Sequence, residues 1–312
     1  MPSAEHQRVL THLRELFATR VADPNDVEAV VAANRALIRH YARVDGQSPQ
    51  LGPGTVVSAT QAGGVPAEWL RAEGADRDRR LCWIHGGAWI SGRAADYRHV
   101  AESLSRVVGA SVLSLDYRLA PEHPFPAGLD DCHDAYRWML ANGPEGPQQA
   151  RGAWIAGDSA GGNLTLALLL RLRDSRRRLP LAAATIGAAT DLTASGASMR
   201  SRTAVDPIIS KRGVDYVAHL YVQNDTPLAD PLVSPLFGEL GGLPPVLMHV
   251  GDRETLLDDT LRFAERARAA GSPVEAKVWP EMLHVFEVFC HLLPEARESL
   301  AEIGAFLLRH ER

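Results

Sequence analysis

The chain has 312 residues, of which 46% are hydrophobic and 23% are charged, and its formal net charge at pH 7 is −5. These proportions are typical of a globular protein with a large buried core. The acidic balance excludes the basic surface expected of a nucleic-acid-binding protein, so we expect no nucleic-acid partner. At about 150 residues per domain the length allows two domains, although a single α/β domain can be longer than that.

The cysteines and the first twenty residues give information about the cellular compartment of the protein. Cys82, Cys132 and Cys290 are widely spaced and form no Cys-x-x-Cys pair, a pattern that predicts free thiols and no thiolate metal site. Apolar residues in positions 1–20 recur at helical spacing, which is typical of an amphipathic helix and not of a signal peptide. No apolar run is long enough to predict a membrane span. We therefore expect a cytoplasmic protein, with no metal and, in the absence of a nucleotide-binding glycine motif, no cofactor.

Two helical patterns open the chain, and strands and helices alternate after them. The first helices are predicted over Glu5–Arg20 and Asp26–Val44, with Pro24 near the start of the second. The predicted strands are Thr55–Gln61, Glu68–Ala72, Leu81–His85, Ala110–Asp116, Gly152–Ala156, Ala182–Ala188, Pro245–Val250 and Val274–Trp279. The predicted helices among them are Tyr97–Val108, Leu129–Ala141, Asn163–Arg173, Asp258–Ala270 and Leu292–Leu308.

This alternation indicates a mostly parallel sheet with helices on both faces, because several of the strands are almost entirely apolar and parallel strands need crossover helices. Two regions depart from it. One comprises the N-terminal helices, and the other is Thr190–Gly242, which contains four prolines.

A candidate nucleophile lies in the run Gly157–Gly162, which contains Gly-x-Ser-x-Gly. The run follows the apolar strand residues Trp154–Ala156 and precedes a predicted helix, which is the setting of a nucleophile elbow. Small residues two positions before and after the serine allow neighbouring backbone to approach. Ser159 is therefore the predicted nucleophile.

A serine that attacks a carbonyl needs N–H donors for the developing oxyanion. The glycine-rich run after the strand Leu81–His85 has the right position for an oxyanion loop, and a further N–H should come from the residue after the nucleophile. We interpret His85 as a residue that orients this loop. The predicted donors are Gly86, Gly87, Ala88 and Ala160.

These motifs together resemble the hormone-sensitive lipase family of esterases (bacterial lipase family IV). His85–Ala88 is similar to its HGGG motif, Gly157–Gly162 to its GDSAGG motif, and Asp116–Ala127 to its DYRLAPE segment. The resemblance extends from Leu81 to the C-terminus. Ala88 departs from it by replacing the third glycine, which leaves the N–H in place.

The resemblance implies an α/β-hydrolase fold, with a mostly parallel eight-stranded sheet flanked by helices and a helical cap. Residues 1–50 would form the N-terminal part of the cap and 51–312 the catalytic domain. Residues 190–242, inserted after the sixth strand, would form the second part of the cap. Met199, Ile208, Ile209 and Tyr216 are candidates for the wall of an acyl pocket or for the core of the cap.

The base and the acid must follow the nucleophile, since α/β-hydrolases carry the triad in the order serine, acid, histidine. His284 lies in a segment similar to the family's H-G-F, with Val285 in place of the glycine. Alignment with the family's D-P-L-x-D segment places Glu254 at the acid position. Asp252 remains the alternative, because it is nearer the strand end and shorter.

The predicted function is a serine carboxylesterase that hydrolyses short- to medium-chain esters through an acyl-enzyme. The predicted partner is a small-molecule ester, and a homodimer is a further expectation. The alternatives are a hydrolase of amides, carbonates or a specialised ester, and a non-catalytic ligand receptor on the same fold. Retention of Ser159, His284 and an acid argues against the receptor.

Overall fold

A computed structural model describes residues 3–18, 23 and 25–311. Its strands are β1 (Val56–Ala62), β2 (Val65–Arg71), β3 (Asp76–Ile84), β4 (Ala110–Leu115), β5 (Asn142–Gly143), β6 (Gly146–Pro147), β7 (Gly152–Asp158), β8 (Ala183–Ile186), β9 (Val246–Gly251) and β10 (Val274–Trp279). Its α-helices are α1 (Ala4–Ala18), α2 (Val27–Tyr41), α3 (Arg98–Val108), α4 (Ala127–Ala141), α5 (Ser159–Asp174), α6 (Ser198–Ser201), α7 (Lys211–Tyr221), α8 (Leu257–Ala269) and α9 (Pro294–Arg309). The end of the predicted first helix, Thr19–Arg20, and Pro24 lie outside the described residues.

Eight of the strands form one sheet in the order β1-β2-β4-β3-β7-β8-β9-β10. Only β2 runs antiparallel to its neighbours, β1 and β4, and all other pairs are parallel. Every residue of β4, β7, β8 and β9 is buried, as expected for strands covered by helices on both faces. The predicted eight-stranded, mostly parallel sheet is confirmed.

Several element boundaries differ from the prediction, and for two of them the structure gives a physical reason. β3 begins at Asp76, five residues before the predicted start, because its charged residues find partners: the buried Arg80 donates from Nη1 to the Met139 carbonyl at the end of α4 (2.7 Å). α5 begins at Ser159 itself and not at Asn163. The turn from β7 into α5 is therefore as short as a strand-to-helix connection can be.

The parallel strands direct their carboxyl ends toward one edge of the sheet, where ligand sites of α/β proteins form. The loops after β3, β7, β9 and β10 meet at this edge. The N-terminal helices pack beside them: Val9, Leu10 and Leu13 of α1 are buried in a cluster that also contains Tyr41 and Phe289. None of the described helices is long and apolar enough to cross a membrane.

Candidate active site

The turn between β7 and α5 presents Ser159 in a left-handed backbone conformation, with φ of 52°. The glycines on either side make this turn possible. A Cβ on Gly157 would lie 2.4 Å from the Gly161 carbonyl oxygen, and one on Gly161 would lie 2.0 Å from the Ile84 carbonyl oxygen. No side chain fits at either position, so the turn can pack closely against β3. The positive φ of Ser159 makes this turn a strained elbow.

Three side chains from three different loops form one hydrogen-bonded chain. His284 Nδ1 lies 2.6 Å from Glu254 Oε2, and His284 Nε2 lies 2.9 Å from Ser159 Oγ. A carboxylate can only accept, so Nδ1 carries the proton and Nε2 of the neutral ring accepts from the serine hydroxyl. His284 and Glu254 are buried. This is the arrangement of a serine nucleophile with its base and acid.

The electrostatics around His284 favour its cationic form. Burial lowers the pKa of the imidazole, but the charge of Glu254 and its hydrogen bond raise it, with further contributions from Asp206 and Asp158. The pKa of His284 is raised overall. An imidazolium that forms when the ring takes the serine proton is therefore stabilised.

The two candidate acids have different surroundings. Glu254 Oε1 accepts a hydrogen bond from the Gly251 N–H at 2.5 Å, which leaves Oε2 for His284. Asp252 Oδ1 instead accepts from the Glu281 N–H at 2.7 Å. The structure thus brings Glu254 to the base, while Asp252 holds the loop that follows β10.

Gly187, at the end of β8, lies directly against the Glu254–His284 pair and was not singled out from the sequence. A Cβ there would be 2.8 Å from both Glu254 Oε2 and His284 Nδ1, and its φ is +53°. The available signal was a glycine at the end of a predicted buried strand, where a glycine indicates close approach of another group.

The loop after β3 supplies backbone N–H groups beside the serine. Gly87 and Ala88 have positive φ values of 117° and 56°, so Ala88 adopts the conformation that favours the family's glycine. In the described part of the chain, neither of their N–H groups donates to another protein group. Ala160 lies in the first turn of α5, where N–H groups have no acceptor within the helix.

The prediction that Gly86 donates to the oxyanion is corrected by the structure. Its N–H donates to Asp158 Oδ1 at 2.7 Å, across the gap between the β3 and β7 loops. Both groups are buried, so this N–H is already paired. Three of the four predicted donors remain: Gly87, Ala88 and Ala160.

The carboxyl group of Asp158 is buried and has a raised pKa. Burial raises its pKa to about 7, although the Gly86 hydrogen bond acts in the opposite direction. Its Oδ2 has no hydrogen-bond partner among the described residues, and the side chain borders the cavity above Ser159. Through its hydrogen bond with the Gly86 N–H, Asp158 joins the nucleophile turn to the oxyanion loop.

His85, which we predicted to orient the oxyanion loop, has contacts within that loop. Its ring stacks on Tyr117, with centroids 4.4 Å apart, and its Nδ1 lies 2.7 Å from the Gly86 carbonyl oxygen. The Tyr117 hydroxyl donates to the His85 carbonyl at 2.8 Å. Burial lowers the pKa of His85 to about 4, so the ring is neutral at physiological pH.

Two further histidines in the last part of the chain, His249 and His291, contact residues other than Ser159. His249 is buried in β9 with Nδ1 2.8 Å from Ser299 Oγ, and His291 meets the ring of His99 edge to face. No group of three or more His, Cys, Asp or Glu residues in the described ranges is arranged to hold a metal ion.

A cavity of about 510 Å³ opens above Ser159 and His284. Its walls are mostly apolar side chains from α2 and from residues 208–217, a composition typical of sites for small organic ligands. Three of the four candidate wall residues line it: Ile208, Ile209 and Tyr216. Met199 does not, because its side chain is buried in the protein core.

Comparison with known proteins agrees with this geometry. A family model described as alpha/beta hydrolase fold matches residues 81–288. An acetyl-hydrolase of Streptomyces hygroscopicus is 40% identical over 256 residues, or 82% of each chain. An esterase of Acinetobacter venetianus is 33% identical over 291 residues, or 93% of each chain. The crystal structure of an esterase from the bacterial hormone-sensitive lipase family has a TM-score of 0.89 and 37% identity, with 100% of both chains covered.

The fold, the site and these similarities define an α/β-hydrolase that is a carboxylic ester hydrolase. Within that class the chain belongs to the hormone-sensitive lipase family. The family, the fold and the ester-hydrolase activity predicted from the sequence are confirmed.

Proposed function

We propose that the protein hydrolyses short- to medium-chain carboxylic esters through an acyl-enzyme formed on Ser159. The observation that carries this proposal is the continuous chain Ser159–His284–Glu254 at the floor of an apolar cavity. The cavity volume of about 510 Å³ suits a small ester and supports the choice of chain length.

In the proposed mechanism His284 takes the proton of the Ser159 hydroxyl as Oγ attacks the acyl carbonyl carbon. Glu254 holds the ring in the tautomer that accepts this proton and stabilises the imidazolium. His284 then gives the proton to the leaving alcohol. A water molecule, deprotonated by the same ring, releases the carboxylic acid and restores the serine.

The developing oxyanion would accept hydrogen bonds from the N–H groups of Gly87, Ala88 and Ala160. The Gly86–Asp158 hydrogen bond supports this assignment, because it ties the oxyanion loop to the turn that carries the nucleophile. The N–H groups that stabilise the oxyanion and the serine that attacks are then held at a fixed distance from each other. Preorganised donors of this kind typically contribute about 100- to 1000-fold each to kcat.

We also propose that residues 1–50 and 190–242 form the cap and that residues 51–312 form the catalytic domain around the inserted segment. Two observations support this division. Side chains of α2 and of residues 208–217 face the same cavity, and the Tyr41 hydroxyl of α2 donates to the His284 carbonyl at 3.2 Å. Both proposed cap segments thus border the cavity that contains Ser159 and His284.

A series of p-nitrophenyl esters from acetate to dodecanoate tests the function. We expect turnover that is greatest for short and medium chains and that falls at least about 1000-fold in Ser159→Ala. Ser175→Ala, an exposed serine at the end of α5, is the matched control. No Ser159-dependent turnover at any chain length would contradict the esterase mechanism. Binding of an ester without turnover would favour the receptor alternative, and preferential cleavage of amides or carbonates would favour the other hydrolases.

The homodimer and the cytoplasmic location stay predictions. Light scattering coupled to size-exclusion chromatography measures the first, since a dimer has twice the chain mass of 33.8 kDa.

A further inference from the structure

The residue that follows the proposed acid forms hydrogen bonds with the inserted segment. Thr255 is fully buried, and its N–H and hydroxyl donate to Asp206 Oδ2 at 2.8 and 3.0 Å. Its carbonyl accepts from the Ser198 hydroxyl at 2.6 Å. Since Thr255 is adjacent to Glu254, these hydrogen bonds from residues 198–206 contribute to the position of the acid turn, beside those from Gly251 and from the loop after β10.

The other oxygen of the same carboxylate holds the wall of the cavity. Asp206 Oδ1 accepts from the N–H groups of Ile208 and Ile209 at 2.9 and 3.0 Å. Both isoleucines line the cavity that contains Ser159. One buried carboxylate therefore accepts four hydrogen bonds, two from the cavity wall and two from the acid turn.

We propose that Asp206 is a positioning residue that couples the Ile208–Ile209 wall to Glu254 and His284, and so determines both turnover and acyl-chain selectivity. The proposal rests on the proposed function, because it assigns Asp206 a part in that same reaction. The two carboxylate oxygens have separate roles, since Oδ1 fixes the shape of the wall and Oδ2 fixes the acid.

The charge of Asp206 adds an effect that can be measured separately. The carboxyl groups that act on His284 are Glu254 of the acid turn, Asp206 of the insertion and Asp158 of the nucleophile turn, while α2 supplies the Tyr41 hydroxyl to its carbonyl. Burial lowers the pKa of His284 and these anions raise it. Removal of the Asp206 charge should lower the pKa of His284, so the acidic limb of kcat/KM should move to lower pH.

The test measures kcat, its pH profile and the ratio of kcat/KM for octanoate and butyrate esters in Asp206→Asn. An asparagine has one accepting oxygen, so it cannot accept from both donor pairs. We expect kcat to fall about tenfold, because the acid turn shifts. We expect the acidic limb to move down by about half a pH unit, and the chain-length ratio to change at least about threefold.

Asp191→Asn is the matched control. Asp191 is also a buried aspartate of the insertion that accepts from nearby hydroxyls and pairs with Arg262, but no hydrogen bond links it to Thr255. Its loss should lower the melting temperature without changing the pH profile or the chain-length ratio. If Asp206→Asn changes only the melting temperature, as Asp191→Asn does, the proposal is overturned.

If Asp206→Asn does not fold, Thr255→Val is used to test the proposal. It removes one hydrogen bond to Oδ2 and leaves both bonds to the wall. We expect kcat to fall about threefold, as the loss of one modest hydrogen bond predicts, at an unchanged chain-length ratio. An unchanged kcat would overturn the proposal. If the wild-type protein has no Ser159-dependent turnover, both the proposed function and this proposal fail. If the wild-type turnover is normal and the kinetics of the variants equal those of the wild type, only the role of Asp206 is overturned.

Discussion

The loops at the carboxyl ends of β7, β9 and β10 and the cavity wall formed by α2 and residues 208–217 contribute to the same site by different means. In the loops, each reactive group has a fixed partner: Glu254 is held by the Gly251 N–H and His284 by Glu254. In the wall, apolar side chains from two separate segments face the cavity, and they contribute its shape, not a hydrogen bond to a reacting group.

This difference indicates how the two regions should tolerate change. A displacement of about 1 Å in a hydrogen-bonded chain can cost about 100-fold in rate, because the reaction needs aligned atoms. A change in an apolar side chain of the wall acts first on the fit of a flexible substrate chain, where one methylene is worth about 10- to 200-fold in discrimination between substrates. Substitutions in the loops should therefore lower kcat, whereas those in the wall should redistribute kcat/KM among substrates.

The largest expected effect separates the two candidate acids. Glu254→Gln removes the charge that orients His284 and stabilises its cation, so kcat should fall about 1000- to 10,000-fold. Asp252→Asn keeps an oxygen that can accept from the Glu281 N–H, so kcat should stay within about threefold of wild type. Steady-state kinetics with p-nitrophenyl butyrate measures both. Collapse of activity only in Asp252→Asn, with the fold intact by circular dichroism, would show that the acid is wrongly assigned.

A smaller but still large effect is expected from Gly187→Ala. The added methyl group would lie 2.8 Å from both Glu254 Oε2 and His284 Nδ1 and must separate them. We expect kcat to fall about 100-fold. Gly271→Ala is the control, because it also has a positive φ, of +82°, but its Cβ would meet no atom within 4 Å. A kcat in Gly187→Ala that equals that of Gly271→Ala would show that the added methyl group does not disturb the Glu254–His284 pair.

The loops were largely predictable from sequence, since each needs a local pattern that one segment carries. The elbow requires glycines at fixed offsets from Ser159, and these are visible in the chain. Gly86 was misassigned because its N–H is taken by Asp158, a residue 72 positions away. Which N–H donor of a loop remains unpaired depends on contacts between different loops, and the sequence of one loop does not show these contacts.

The wall was far less predictable. Ile208 and Met199 are both apolar residues of the insertion, but one lines the cavity and the other is buried in the core. Composition cannot distinguish them, because both satisfy the same hydrophobic pattern. Asp206 had a weak signal in the Asp-Pro pair that initiates a turn. Its two sets of partners depend on how the insertion packs on the acid turn.

The pH dependence tests the loops without any substitution. The base must be neutral to take the serine proton, so kcat/KM should fall as pH falls through the pKa of His284, by about tenfold for each pH unit below it. Because that pKa is raised, the decline should begin above pH 6.5. The loss should be reversible on return to pH 8. A flat profile between pH 8 and pH 5 would contradict a histidine base.

The smallest expected effect belongs to the wall. Ile209→Ala shortens a side chain that lines the cavity and leaves its main-chain hydrogen bond to Asp206 intact. The enlarged space should raise kcat/KM for a decanoate ester relative to butyrate by about three- to tenfold, with kcat for acetate little changed. Val205→Ala, an exposed position of the same insertion, is the control. If kcat for every ester fell in Ile209→Ala while the chain-length ratio stayed constant, the wall would act on the reacting atoms themselves, and the distinction between a chemically rigid set of loops and a tolerant wall would not hold.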